Sequence, residues 1–224
     1  MEQLANDLWA EAAPQSFLGL HLGTRMTVVR LRDGSLLVHS PIAMTPSLKA
    51  EVDAIGPVRH IVSPNVAHHL YAGEWQNAYP GALLHGAVGL GKRRKDLAID
   101  LELRGETHAD WEGDLATAFL DGTMLNETVF FHRPSRSLIV ADVIENFETS
   151  AHWPTRAYLK LGGIHRRPGL SLPLRLVFRD KKRARRSIDE VLGWDFDRIV
   201  LAHGDVIESG GREVLRDAYT WLKG

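Results

Sequence analysis

The chain has 224 residues, 44% of them hydrophobic, which is enough to bury a sizeable core. Lysine plus arginine count 27 against 28 for aspartate plus glutamate, so the net charge of −1 offers no global attraction to nucleic acid or to an anionic membrane. The cysteine count is zero, which excludes disulfides and thiolate ligands, so a metal would be held by histidine nitrogen and carboxylate oxygen.

Met1 to Pro14 carries Glu2, Asp7 and Glu11 and no uninterrupted apolar run, so it reads as neither signal nor transit peptide and a cytoplasmic location is expected. No stretch approaches the ~20 apolar residues that span a bilayer. A single domain over residues 1–224 is expected. Met26 to Leu31 and Ser35 to Ser40 flank Asp33-Gly34 and predict a β-hairpin. Thr45-Pro46-Ser47 starts a helix carrying Leu48, Val52 and Ile55 and ending near Gly56-Pro57. Val58 to Ser63 predicts a strand, Ala67 to Asn77 a helix, and Ala82 to His85 a short strand before the loop Gly86 to Gly91. Between Gly91 and about Asp121 the pattern is irregular and assigns no element. Thr128 to His132 and Ser137 to Val143 form a second hairpin around Pro134-Ser135-Arg136. Asn146 to Leu174 suggests short helices and loops, an insert suited to cover a cleft. A helix from near Asp180 to Leu192, a strand at Arg198 to Leu201 and a helix at Glu213 to Leu222 complete the chain.

Three apolar runs stop at a residue able to bind metal. Val58 to Ser63 leads to His68 and His69, Leu138 to Ala141 to Asp142, and Ile199 to Ala202 to His203-Gly204. Buried strands of α/β proteins deliver such side chains to one edge of the sheet, so these endings are read as one site. Strands inside and helices outside in both halves predict a four-layer αββα sandwich.

In this order of hairpin, strand-end His-His, hairpin-end Asp and closing Ala-His-Gly, the chain resembles the metallo-β-lactamase-like superfamily. More narrowly it resembles an uncharacterised branch with Pro-Asn-x-x-His-His and Glu-x-Val-Phe-Phe-His-x-Pro-Ser-x-x-Leu-Ile. The superfamily signature is His-x-His-x-Asp-His. Laying its Asp-His on His68-His69 puts Pro64 and Val66 at the first two histidines, and leaves about Thr123 where a further histidine belongs. The resemblance therefore implies a reduced site in which His68, His69, Asp142 and His203 hold one Zn²⁺ or Fe²⁺ with an open position for water. It also implies a metal-dependent hydrolase acting on a small ester, lactone, thioester or phosphoester. The catalytic candidates for proton transfer are Glu127 and His68, with Glu145 and His132 as further carriers. The second expectation, from another class, is a scaffold that has lost hydrolysis and binds a ligand or partner in the same cleft. A small-molecule substrate or ligand is the expected partner, with neither nucleic acid nor membrane; oligomeric state is left open.

Each residue also has an ordinary role to play. Consecutive histidines opening a helix point in different directions, Asp142 is as well placed to cap a backbone N–H, and Glu127 and His132 face opposite sides of a regular strand. Gly86 to Gly91 lacks the endings of a phosphate loop. The basic stretch Arg179 to Arg186 reads as a solvated helix face, and Trp75, Trp111, Trp153 and Trp194 as core or lid.

Overall fold

Strands that are apolar on both faces need cover on both sides, and the chain provides it in four layers. In the computed structural model, which describes residues 1–222, the first strands are β1 (Glu2–Ala5), β2 (Leu8–Ala13), β3 (Ser16–Phe17) and β4 (Leu20–His21). They are followed by β5 (Thr24–Arg30), β6 (Leu36–His39), β7 (Val58–Ser63), β8 (Leu83–Ala87) and β9 (Leu101–Leu103). The order β1-β2-β5-β6-β7-β8-β9 makes one seven-stranded sheet, antiparallel up to β6 and parallel from there to β9. β10 (Leu115–Phe119), β11 (Thr128–His132), β12 (Ser137–Ile139) and β13 (Arg198–Val200) make a four-stranded sheet in that order. β3 and β4 form a separate two-stranded hairpin.

The helices are α1 (Pro46–Ile55), α2 (Ala72–Ala78), α3 (Leu90–Arg93), α4 (Trp153–Leu161), α5 (Leu172–Arg175), α6 (Lys181–Leu192) and α7 (Gly211–Ala218). Between the sheets lie Leu8, Val29, Leu37 and Val62 from one and Phe130, Ile139 and Val200 from the other. On the outer side of the first sheet, Leu48, Val52 and Trp75 of α1 and α2 pack on Val28, Ile61 and Leu84. On the outer side of the second, Ile188 and Val191 of α6 and Leu215 of α7 pack on Val129, Leu138 and Ile199. Each such aliphatic side chain, fully buried, contributes about 1.5–3 kcal/mol. The architecture is the αββα sandwich that the resemblance implies.

Local signals set the element ends. Thr45 Oγ1 accepts from Leu48 N at 3.1 Å and Pro46 opens α1. Asp180 Oδ1 accepts from Lys182 N and Arg183 N at the start of α6. Two regions differ from expectation. The helix expected from Ala67 starts only at Ala72, because Asn65 Oδ1 accepts from Ala67 N and His68 N, both at 2.8 Å, and turns residues 64–71 away from helical geometry. The stretch without assignment, 91–121, holds β9, a 3₁₀ turn at Ala109–Trp111 and β10. Leu115–Phe119 is rich in helix-favouring alanine, yet its pairing with β11 from Leu115↔His132 to Phe119↔Thr128 makes it a strand. Among the described residues, no helix is long and apolar enough to cross a membrane.

Candidate metal centre

The C-terminal ends of β7, β12 and β13 deliver His68, Asp142 and His203 to one point. His68 Nε2 lies 3.2 Å from His203 Nε2 and 3.4 Å from Asp142 Oδ1, and His203 Nε2 lies 3.2 Å from the same Oδ1. Donor atoms about 2.0–2.1 Å from a tetrahedral Zn²⁺ lie about 3.3–3.4 Å from one another, so the three edges fit one face of such a polyhedron. His68, Asp142 and His203 therefore form a candidate site for a metal ion.

The remaining atom of each donor is held from behind, as metal ligands require. The Gly23 carbonyl, 2.8 Å from His203 Nδ1, can only accept, so Nδ1 carries the proton and Nε2 faces the centre. Ser40 Oγ is 2.7 Å from His68 Nδ1, from a left-handed backbone (φ 53°) just past β6. Asn65 Nδ2 donates to Asp142 Oδ2 and to Glu127 Oε2, both at 2.8 Å, leaving Asp142 Oδ1 for the centre. His203 reaches its place because Gly204 (φ 98°) lies flat against Asn146, where a Cβ would overlap the Asn146 carbonyl oxygen.

Charge follows this packing. Burial pushes the Asp142 carboxyl up, but His68 and His203 beside it outweigh that and hold it well below the usual range. Burial lowers His203, and the Asp142 carboxylate more than compensates, leaving it raised. Burial and the Asp142 charge push Glu127 up to about 7.

His69 and Glu127 take other places. His69 stands outside the cluster: its Nδ1 meets Arg94 Nη1 at 2.7 Å, and a guanidinium there is a poor neighbour for a cation. Glu127 is fully buried behind Asp142 rather than in the cleft, accepting from Ala141 N at 2.7 Å, Asp142 N at 2.9 Å and Asn65. It holds the Asp142 backbone in place and does not line the pocket beside the triad. His132 is held in the β11–β12 turn by Ser135 Oγ at 2.6 Å. Glu145 does line the cleft, with Tyr158 Oη 3.2 Å from its Oε1 and Ser171 N donating to its Oε2 at 3.2 Å.

Of the two adjacent histidines expected to ligate, the structure brings His68 to Asp142 and His203 and leaves His69 beside Arg94. Asn65 is a site residue that the sequence does not single out, since its signal, an Asn that caps backbone N–H groups two and three residues on, is that of an ordinary turn.

A second group of histidines lies deeper between the sheets. His60 Nδ1 and His85 Nε2 are 3.1 Å apart, and the rings of His60, His85 and His108 pack around Trp111. Burial, the leading cause, pushes His60 down to about 4 and His85 down to about 3.

Residues 5–157 match the family model described as a domain of unknown function, DUF4336. The chain belongs to this family. No curated protein matches the sequence. Among solved structures, a metallo-β-lactamase from Pontibacter korlensis matches with TM-score 0.66 and 11% identity over 98% of this chain and 96% of its own. The DIM-1 metallo-β-lactamase matches with TM-score 0.68 and 12% identity over 99% and 96%. A flavodiiron core from Synechocystis sp. PCC6803 matches with TM-score 0.66 and 10% identity over 97% of this chain and 59% of that one. These likenesses show a metallo-β-lactamase fold.

Proposed function

We propose that this member of the family is a metal-dependent hydrolase with one divalent ion, Zn²⁺ or Fe²⁺, held by His68, Asp142 and His203, acting on a small ester, lactone, thioester or phosphoester. The observation that carries the reading is the three-donor triangle, whose outer atoms are each fixed by Ser40, Asn65 or Gly23. A divalent cation there supplies Lewis acidity, polarising the bond under attack and making water more acidic. Asp142 contributes a negative charge against that cation, and the two imidazoles contribute neutral donors. His203 keeps its proton on Nδ1 through Gly23, so its ring stays in one tautomer and orientation. Glu145, raised by burial despite the Ser171 hydrogen bonds, lines the cleft with its Oε1 accepting from the Tyr158 hydroxyl at 3.2 Å, within the same pocket as the triad.

One observation favours a second reading. Pro64 and Val66 stand where the superfamily signature has its first two histidines, which is the pattern of a scaffold that keeps the fold and binds a ligand without hydrolysis. A panel of chromogenic esters, lactones, thioesters and phosphoesters, run with a His203→Ala control, separates the two. Hydrolysis abolished in the control supports the enzyme, and inactivity with metal bound supports the binder.

A further inference from the structure

Beside the candidate metal centre lies a pocket of about 440 Å³, towards the small end of the ~300–1,000 Å³ usual for ligand sites. Its lining is chemically one-sided. Leu20, Leu22, Leu125, Leu174 and Val177 line it, and the titratable groups among its lining are His68, His69, Asp142, Glu145 and His203 with the phenols of Tyr71 and Tyr158. Among the described residues, none that lines it is lysine or arginine.

The entrance continues the same character. Phe17 and Leu18, at the turn of the β3–β4 hairpin, are 64% and 86% exposed, and Leu70 is 56% exposed. The hairpin is docked rather than loose: His21 N donates to Thr155 Oγ1 at 2.8 Å and the His21 ring stacks on His152 at 3.7 Å. Apolar side chains held open to solvent at a pocket mouth cost hydration unless a ligand covers them.

We propose that the substrate is an uncharged carboxylic ester or lactone with a medium-length hydrocarbon acyl chain, the chain lying against Leu20, Leu22, Leu125 and Leu174. This rests on the hydrolase reading above and narrows its substrate class. Among the described residues no lysine or arginine lines the pocket to neutralise an anion, its donors away from the triad being neutral groups such as Gln15, Thr24, Tyr71 and Tyr158, and a charge without an opposite partner among leucines is costly to bury. In the reaction the oxygen of water bonds to the carbonyl carbon and the acyl C–O bond breaks. The alcohol, or the hydroxyl end of an opened lactone, leaves with one proton of that water, and the other is released to solvent as the new acid ionises. The product is a fatty carboxylate, which an apolar wall without cations retains less well than the neutral substrate.

The test compares p-nitrophenyl acetate, butyrate and octanoate with the p-nitrophenyl half-ester of suberic acid, which places a carboxylate at the far end of the octanoate chain. Burial of each added methylene raises kcat/KM about fourfold, and the distal carboxylate lowers it about tenfold or more relative to octanoate. Titration calorimetry with 2-decanone and with decanoate, on metal-loaded and chelator-treated protein, reads the pocket without turnover. The ketone binds in both forms and the carboxylate binds more weakly to the chelated one. Leu70→Lys, at an exposed position, narrows the gap between octanoate and the half-ester. Rates that are flat with chain length in a protein that carries metal and hydrolyses esters overturn this inference and leave the hydrolase standing. Ketone binding in a protein with neither metal nor hydrolysis overturns the hydrolase and leaves the apolar pocket standing.

Discussion

Strand β7 carries His60 within the body of the fold and leads to His68 beyond its C-terminal end, and the two imidazoles meet opposite surroundings. His60 faces another neutral ring, His85, and the indole of Trp111; its Nε2 has no hydrogen-bond partner, and the nearest carboxylate oxygen, on Asp110, is 3.5 Å away. His68 faces a buried carboxylate and a second imidazole whose backs are tied to Asn65 and Gly23. The first setting stabilises neutral histidine as part of a core, and the second gathers donors around a place for positive charge. Three clustered histidines are thus poor evidence for a metal; two with a carboxylate and fixed outer atoms are better.

The glycines that follow a histidine in each group give the largest test of that contrast. Gly204→Ala drives a Cβ into the Asn146 carbonyl at a left-handed backbone position, and the expected loss exceeds ~4 kcal/mol of unfolding free energy. Gly86→Ala, after His85, meets only the side chain of Ile99, at Cδ1 (2.8 Å), Cγ2 (3.1 Å) and Cγ1 (3.2 Å), with no backbone atom in the way, and should cost about 1–3 kcal/mol. Urea denaturation of both variants measures the difference, and equal losses would remove the special status given to Gly204.

Acid should expose the buried group next. His39 and His85, pushed down to about 3, and His60, pushed down to about 4, stay neutral in the fold while the unfolded chain takes up protons below about 6.5. The unfolded state then binds more protons, so stability is full above that pH and falls as pH drops from about 6.5 towards 3–4, by about 1.4 kcal/mol per unit for each histidine. His39→Leu should flatten the slope by removing one of these contributions. Denaturation midpoints between pH 7 and pH 4 check this; an unchanged slope in the variant would contradict it.

Smaller effects belong to the residues behind the donors. Asn65→Ala removes the hydrogen bond that orients Asp142 and should weaken metal binding about 10–100-fold, read by competition with a chromogenic chelator. Ser40→Ala, which removes one contact to His68 Nδ1, should fall near the lower end of that range.

Much of this architecture was legible from periodicity. The Asp33-Gly34 hairpin, α1 behind Thr45-Pro46, β7 and α6 behind Asp180 stand where their residues place them. Missed elements are those made by pairing rather than by pattern: β10 is strand through β11, and β1 and β2 through β5. At the site, Asp142 and His203 follow from apolar runs that end in a donor. The choice between His68 and His69 was not legible, because it depends on the turn that Asn65 imposes and on Arg94, 25 residues away in sequence, at the His69 ring.

His68, Asp142 and His203 are expected to hold a metal, and His60 and His85 are not. Elemental analysis of the chain expressed with ample zinc, iron and manganese decides between the two groups. The expected result is about one divalent ion per chain, retained in His85→Leu and lost in His203→Ala. A metal-free wild type, or an ion that survives His203→Ala, would mean that the two close imidazoles share only a proton and that the centre holds no metal.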